Sequence, residues 1–290
     1  MIRRKNRNFA PEFDKRTMKR HRIYCTLLFL GASITFLLTA CQSNARWNDL
    51  EFYNVEKLEH LQETPKPSED GKPTLHEEPK REMDVKVDMQ FMKSNNAMNE
   101  KACRLINDQL KEIILNQPSE MSVDEAVAQY IEDVKAEFHG DEIVEVYYDH
   151  LTGRAEYGME NVINYRLMEE AFTGGAHPSK ETTILRFDAT TGEFISLEAI
   201  FPLEKQRGLK ELLLNKLMES THAKSLAELQ AKGFLDMGDM VISHNFALRE
   251  DSIEFHYNEY DIAPYAYGTC TICLSYDEAK EVMAIQTVNP

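Results

Sequence analysis

Two groups of residues in this chain have types and spacings suited to chemistry. The first is Phe172-Thr173-Gly174-Gly175-Ala176-His177-Pro178, in which a histidine stands between a glycine pair and a proline. Gly174 and Gly175 reach backbone angles closed to other residues, and Pro178 fixes the exit of the loop. His177 offers an imidazole for proton transfer, with Asp261 as a candidate carboxylate partner. A catalytic histidine needs an orienting acid and a nucleophile, and no recognisable serine, cysteine or metal-ligand motif accompanies this one. The reading adopted is a backbone hydrogen bond that sets a rigid loop. An acid–base pair of His177 with Asp261, acting on the cell envelope, is its rival. The second group is Tyr260, Pro264, Tyr265 and Tyr267, an aromatic–proline loop. Flat amphipathic rings suit recognition of protein or sugar, and packing against a sheet is the alternative use.

Cys270-Thr271-Ile272-Cys273 has the spacing of a redox or zinc pair, yet both roles require more than two thiols. The pair falls in an alternating stretch, where residues three apart point to opposite faces of a strand. Two half-buried thiols that do not bridge are expected. The nine histidines show no metal-binding spacing, and no glycine-rich phosphate loop is present, so no cofactor or metal is assigned.

The elements that must position these residues are legible from periodicity. Met83–Met89 alternates apolar and charged residues, as a half-buried strand does. Ala102, Cys103, Ile106, Leu110, Ile113 and Ile114 recur at helical spacing, which predicts a helix over 98–116. Ser122 and Glu125 form a capping-box pattern that opens a second helix running to Gly140. From Ile143 the period becomes two. Strands are expected at Ile143–Tyr148, Arg154–Gly158, Val162–Glu169 and Thr182–Phe187, with turns at Asp149–Gly153 and Asp188–Gly192. Helices follow after Pro202 and over Ser225–Lys232. The chain closes with strands near Phe246–Leu248, Ser252–Tyr257 and Thr269–Ser275, and a last helix from Tyr276. This is an α+β body with an antiparallel meander, in two parts: a strand–helix–helix part over 83–140 and a C-terminal domain over 141–290.

Upstream, Lys15, Arg16, Lys19, Arg20 and Arg22 precede an uncharged apolar run that ends at Leu38-Thr39-Ala40-Cys41. A positive flank, an apolar stretch and small residues before a cut site mark an export signal over 1–40. Residues 41–82 read as a disordered tether, rich in proline and charge after Glu63, with Trp47, Leu50, Phe52 and Tyr53 loose near the membrane. Removing residues 1–40 takes nine of the 33 Lys/Arg and two of the 49 Asp/Glu, leaving a formal charge of −23. Such a body does not bind nucleic acid through its phosphates and attracts cationic partners.

The Leu-Thr-Ala-Cys segment resembles the lipobox of bacterial lipoproteins. That resemblance implies cleavage before Cys41, a diacylglycerol on its sulfur, and an extracytoplasmic location. Gln42 lacks the acidic signal of inner-membrane retention, which points to the outer membrane where a host has one. The Thr173–Pro178 segment, the Asp188–Gly192 turn and the Tyr260–Tyr265 segment together resemble the RsiV/PdaC-type extracytoplasmic domain family, with Asp261 standing for the usual glutamate. The resemblance covers roughly residues 83–285. It implies an α+β body outside the cytoplasm and a binding or sensing role, not a catalytic one. The ligand it implies is a lysozyme-like cationic protein or a peptidoglycan fragment, contacted by the loops holding Gly174, Gly175, His177 and Pro178 and Tyr260, Asp261, Pro264, Tyr265 and Tyr267.

Overall fold

In the computed structural model the described residues are 50–62, 82–95, 99–137, 146–172, 174, 176–235 and 241–284. The export signal, Cys41, Gly175 and residues 63–81 of the expected tether lie outside them. Among the described residues the chain forms eight strands in two sheets, with six helices.

The larger sheet has the order β1-β2-β3-β4-β5, from β1 (Leu50–Gln62), β2 (Glu82–Ser94), β3 (Val146–Tyr157), β4 (Val162–Phe172) and β5 (Ser179–Asp188). Met83, Val85, Val87 and Met89 on β2 and Ile163, Tyr165 and Leu167 on β4 are buried at every second position. Helices α1 (Glu100–Ile113) and α2 (Val123–Glu137) contribute Ile106, Leu110, Val127 and Ile131 to the same core. The capping box that opens α2 is formed: Glu125 N–H donates to Ser122 Oγ at 3.3 Å and Ser122 N–H to Glu125 Oε2 at 2.9 Å.

Three expectations are corrected here. Residues 50–62, read as tether, are the edge strand β1, paired with β2 along its whole length. Their many charges suit an edge strand, because most of its side chains reach water while the backbone still bonds to β2. The meander is not wholly antiparallel: β2 and β3 run parallel, because the connection between them passes through α1 and α2. Finally, β3 runs straight through Asp149–Gly153, where a turn was expected. Gly153 serves close approach there, since a Cβ on it would collide with the hydroxyl of Tyr165.

The second sheet has the order β6-β7-β8, from β6 (Phe246–Leu248), β7 (Ser252–Tyr257) and β8 (Cys270–Ser275). Around it lie α3 (Leu197–Ile200), α4 (Gln206–Thr221), α5 (Leu226–Ala231) and α6 (Tyr276–Ala279). Leu209, Leu213 and Leu217 of α4 pack with Phe246, Phe255 and Leu274 in a separate core. The two cores meet near residues 189–195, so the body is in two parts but the divide does not fall at 140. At that divide Asp188 Oδ1 accepts from the amides of Thr190 and Thr191 at 2.7 and 2.8 Å. Gly192 completes the turn at φ +79°.

The seam between the sheets is polar. Asn164 of β4 donates to the carbonyl of Leu248 at 2.9 Å and accepts its N–H at 3.0 Å. Asn245 accepts from Ile184 N–H and Asn258 from Thr182 N–H, and both amides donate to the Thr182 carbonyl. A ring of Arg166, Glu156, Arg249 and Glu254 closes the far end, with N–O separations of 2.7–3.0 Å between successive members.

Candidate functional site

The two loops singled out by their residue types meet in space. The first joins β4 to β5, with Gly174 at φ +103°. His177 is exposed, and its Nδ1 lies 2.9 Å from the Pro178 carbonyl. A carbonyl only accepts, so Nδ1 carries the proton and Nε2 is left to accept from Tyr260 Oη at 3.3 Å. The backbone bond expected for His177 is therefore present, and Tyr260 anchors the outer nitrogen.

The second loop follows β7. Its first turn is closed by Asp261, whose Oδ2 accepts from Asn258 N–H at 2.7 Å, and by Tyr260 N–H donating to the Ala263 carbonyl at 3.0 Å. Tyr260 takes φ +69°, an unusual angle for a bulky residue and one that the closed turn holds in place. Ile262 and Ala263 are buried and root the loop in the second core, while Pro264 is exposed and starts a single 3₁₀ turn over Tyr265–Tyr267.

Across the gap between loops, the His177 and Tyr265 rings stack with centroids 3.8 Å apart and planes 19° from parallel. Tyr260 lies 6.0 Å from Tyr265 and is 53% exposed. The result is a flat, water-facing aromatic shelf with hydroxyl and imidazole groups at its edge. The nitrogens of His177 meet Pro178 and Tyr260, while the Asp261 carboxylate closes the turn at Asn258. Tyr267 also departs from the expected grouping. Its ring packs on Phe234 at 5.1 Å and its hydroxyl donates to the Lys232 carbonyl, at the end of α5.

The shelf continues onto residues that the sequence reading passed over. Tyr148 and Phe172 are directly paired across β3 and β4, with rings 6.3 Å apart, and His150 lies 5.0 Å from Tyr148 on the same face. Tyr148 Oη donates to Glu170 at 3.4 Å. Desolvation, the Glu170 carboxylate and Tyr265 push its pKa up, so this phenol stays protonated. The signal that could have found these residues is alternation: Tyr148 and His150 are two apart and so share a strand face.

Cys103, Cys270 and Cys273 are free, with Cys270 half-buried and Cys273 exposed on β8. Desolvation raises all three thiol pKa values, which keeps them protonated rather than reactive. Among the described residues no group of His, Cys, Asp and Glu is placed to hold a metal ion. Among the same residues no helix is long and apolar enough to cross a membrane.

The fold that carries this shelf is shared with solved structures. One is a DUF3298 family member from Bacteroides fragilis NCTC 9343, with a TM-score of 0.67 and 23% identity over 83% of this chain and 96% of that one. Another is a DUF3298 family protein from Pseudomonas aeruginosa PAO1, with a TM-score of 0.53 and 15% identity over 82% and 96%. Residues 198–277 match the family described as "Protein of unknown function (DUF3298)". That span covers the second sheet and the Tyr260–Tyr267 half of the shelf, while His177 lies upstream of it. No curated protein matches the sequence.

Proposed function

We propose that this protein is a lipid-anchored, extracytoplasmic binding module that holds a cell-envelope ligand on the His177–Tyr265 shelf and does not transform it. The observation that carries the reading is the stack itself. Two loops 88 positions apart in sequence stack an exposed imidazole on a half-buried phenol ring, with the His177 nitrogens already fixed by Pro178 and Tyr260. A preorganised aromatic surface of this kind favours binding because little side-chain freedom remains to be lost. Proton transfer needs an available nitrogen next to a carboxylate, and His177 has its nitrogens on a carbonyl and a phenol.

The lipobox-like Leu38–Cys41 segment supports the anchor, and the resemblance to RsiV/PdaC-type domains supports the location. The ligand is a cationic lysozyme-like protein or a peptidoglycan fragment. The acidic body speeds encounter with the first, and stacked rings suit the sugar faces of the second. Calorimetric titration of the detergent-solubilised chain with lysozyme at low salt, and separately with muropeptides, tests the reading. Absence of heat with both ligands removes it. Radiolabelled palmitate incorporated by the natural chain but not by Cys41→Ser tests the anchor.

A further inference from the structure

We propose that the outer edge of β8 is a self-association surface: two copies of the chain pair their β8 strands antiparallel, with Thr271 of one opposite Cys273 of the other. The pairing holds whatever the shelf binds. It rests on the shelf reading only for its consequence, that a dimer presents two shelves to one repeating ligand.

The direction of each backbone group follows from the register of the small sheet. Arg249 N–H donates to the Ser252 carbonyl and His256 N–H to the Asn245 carbonyl, so the even-numbered residues of β7 bond toward β6. Ile253, Phe255 and Tyr257 therefore bond toward β8, where they meet Leu274, Ile272 and Cys270. Thr271 and Cys273 are left with N–H and C=O groups aimed away from β7, and both residues are exposed. Ser275, next in that series, sends its N–H to Glu278 rather than to β7. Among the described residues no group bonds to the outward main chain of Thr271 or Cys273.

The other sheet edges among the described residues are covered or guarded. β1 carries Glu51, Glu56, Lys57 and Glu59. On β5 the amides of Thr182 and Ile184 are taken by Asn258 and Asn245. On β6 the main chain of Leu248 is taken by Asn164 and the Phe246 carbonyl by Arg186. Cys270–Ser275 has no charge and no proline, and its outward groups are uncovered. An edge left in that state is a template for another strand.

The occupant that fits is a second copy. Facing residues in an antiparallel pair share a sheet face, and Thr271 and Cys273, two apart on one strand, do so. Each then exchanges both main-chain bonds with the other, and a twofold axis beside Ile272 repeats the exchange. The same register sets Asp277 of one copy toward Tyr267 of the other, so the acids that follow β8 do not meet in this acidic chain. β6 lies against β4 and β5, and β8 is two strands further out, so the free edge is the one remote from the larger sheet.

Sedimentation equilibrium of the detergent-solubilised chain tests this without any ligand, so a failed ligand titration leaves the pairing untouched. Protein mass per particle should rise toward twice the monomer across the micromolar range. Thr271→Pro removes one outward N–H and spares the bonds to β7, so association should weaken at least about tenfold. Thr271→Lys guards the edge as β1 is guarded and should do the same, with a urea midpoint near that of the natural chain showing that the fold survives. Thr271→Cys sets a thiol opposite Cys273 of the other copy, at a Cα separation of about 5.5 Å that suits a disulfide. Oxidation with diamide should then give a covalent dimer, which adding Cys273→Ser removes. A natural chain that stays monomeric, association unchanged in both edge variants, or a covalent dimer that persists without Cys273 overturns the proposal.

Discussion

Asn164 and Leu248 are bonded twice through one side chain: the amide donates to the Leu248 carbonyl and accepts its N–H, across 84 residues of sequence. Asn164 is fully buried, so it does for β6 what a neighbouring strand would do for an edge. Leucine has the same branched shape and number of heavy atoms but pairs with neither group. Asn164→Leu should therefore leave one donor and one acceptor dry and cost about 2–4 kcal/mol. Urea unfolding reads this as a lower midpoint with an unchanged slope. A midpoint equal to that of the natural chain would show that the bridge contributes nothing.

Arg186 performs a related task with a charge. Its guanidinium is buried and donates to the carbonyls of Ile184, Ile195, His244 and Phe246 at 2.8–3.1 Å, while lying 3.7 Å over the Phe246 ring. A planar fork can serve carbonyls in several directions, and the ammonium of lysine offers three donors from one point. Arg186→Lys should destabilise by about 2–4 kcal/mol, and Arg186→Met by about 3–5 kcal/mol because every one of those acceptors loses its donor. Thermal or urea unfolding ranks the three chains. A lysine variant as stable as arginine would mean that charge alone matters.

Much of this architecture was readable from local pattern, and what was not has a common physical cause. The Asp188–Gly192 turn and the Ser122 cap were legible because the bonds that make them span only a few residues. Alternation around Cys270 and Cys273 placed those thiols on opposite faces for the same reason, but Cys273, expected to be half-buried, is exposed. β1 was misread because it is mostly exposed and charged, with no two-residue period, and becomes a strand only through its pairing with β2. The parallel β2–β3 pair and the seam amides were invisible because their partners are far away in sequence, and nothing local distinguishes Asn164 from a loop asparagine. For the shelf, the sequence supplied His177, Tyr260 and Tyr265 as residue types. It supplied neither their stacking nor Tyr148, whose place depends on the β3–β4 register.

Acid should weaken the fold in two separate ranges. His244 and His256 have folded pKa values below their ordinary value, mainly through burial. Their full contribution is present above about pH 6.5 and is lost as pH falls through the folded values, because the unfolded chain takes up protons first. Glu254 is held below its ordinary value by Arg166 and Arg249, against desolvation. Glu278 is lowered to about 2 by Lys216 and Ser275. Those carboxylates contribute above about pH 4.5 and lose their effect between there and about pH 2. Urea midpoints measured across this range should fall in two steps, and His256→Gln should shrink only the upper one. A single step confined to the carboxylate range would show that the histidines titrate alike folded and unfolded.

Tyr265 and Tyr267 are two residues apart yet occupy different surfaces, which gives the binding proposal an internal control. Tyr265 stacks on His177, and Tyr267 packs on Phe234 at the end of α5. Removing a central aromatic contact from a binding surface costs about 1–2 kcal/mol, roughly a five- to thirtyfold weaker Kd. Tyr265→Ala and His177→Ala should each weaken ligand capture by that amount, and Tyr265→Phe should not, since no bond of the Tyr265 hydroxyl enters the stack. His177 is exposed, so His177→Ala should leave the unfolding midpoint nearly unchanged. Tyr267→Ala should do the opposite, lowering stability through Phe234 and Lys232 while sparing affinity. Titration calorimetry and urea unfolding on the same four variants separate the two effects. Equal losses of affinity at Tyr265 and Tyr267 would mean that the ligand reads the whole loop, or its folding, rather than the stacked rings.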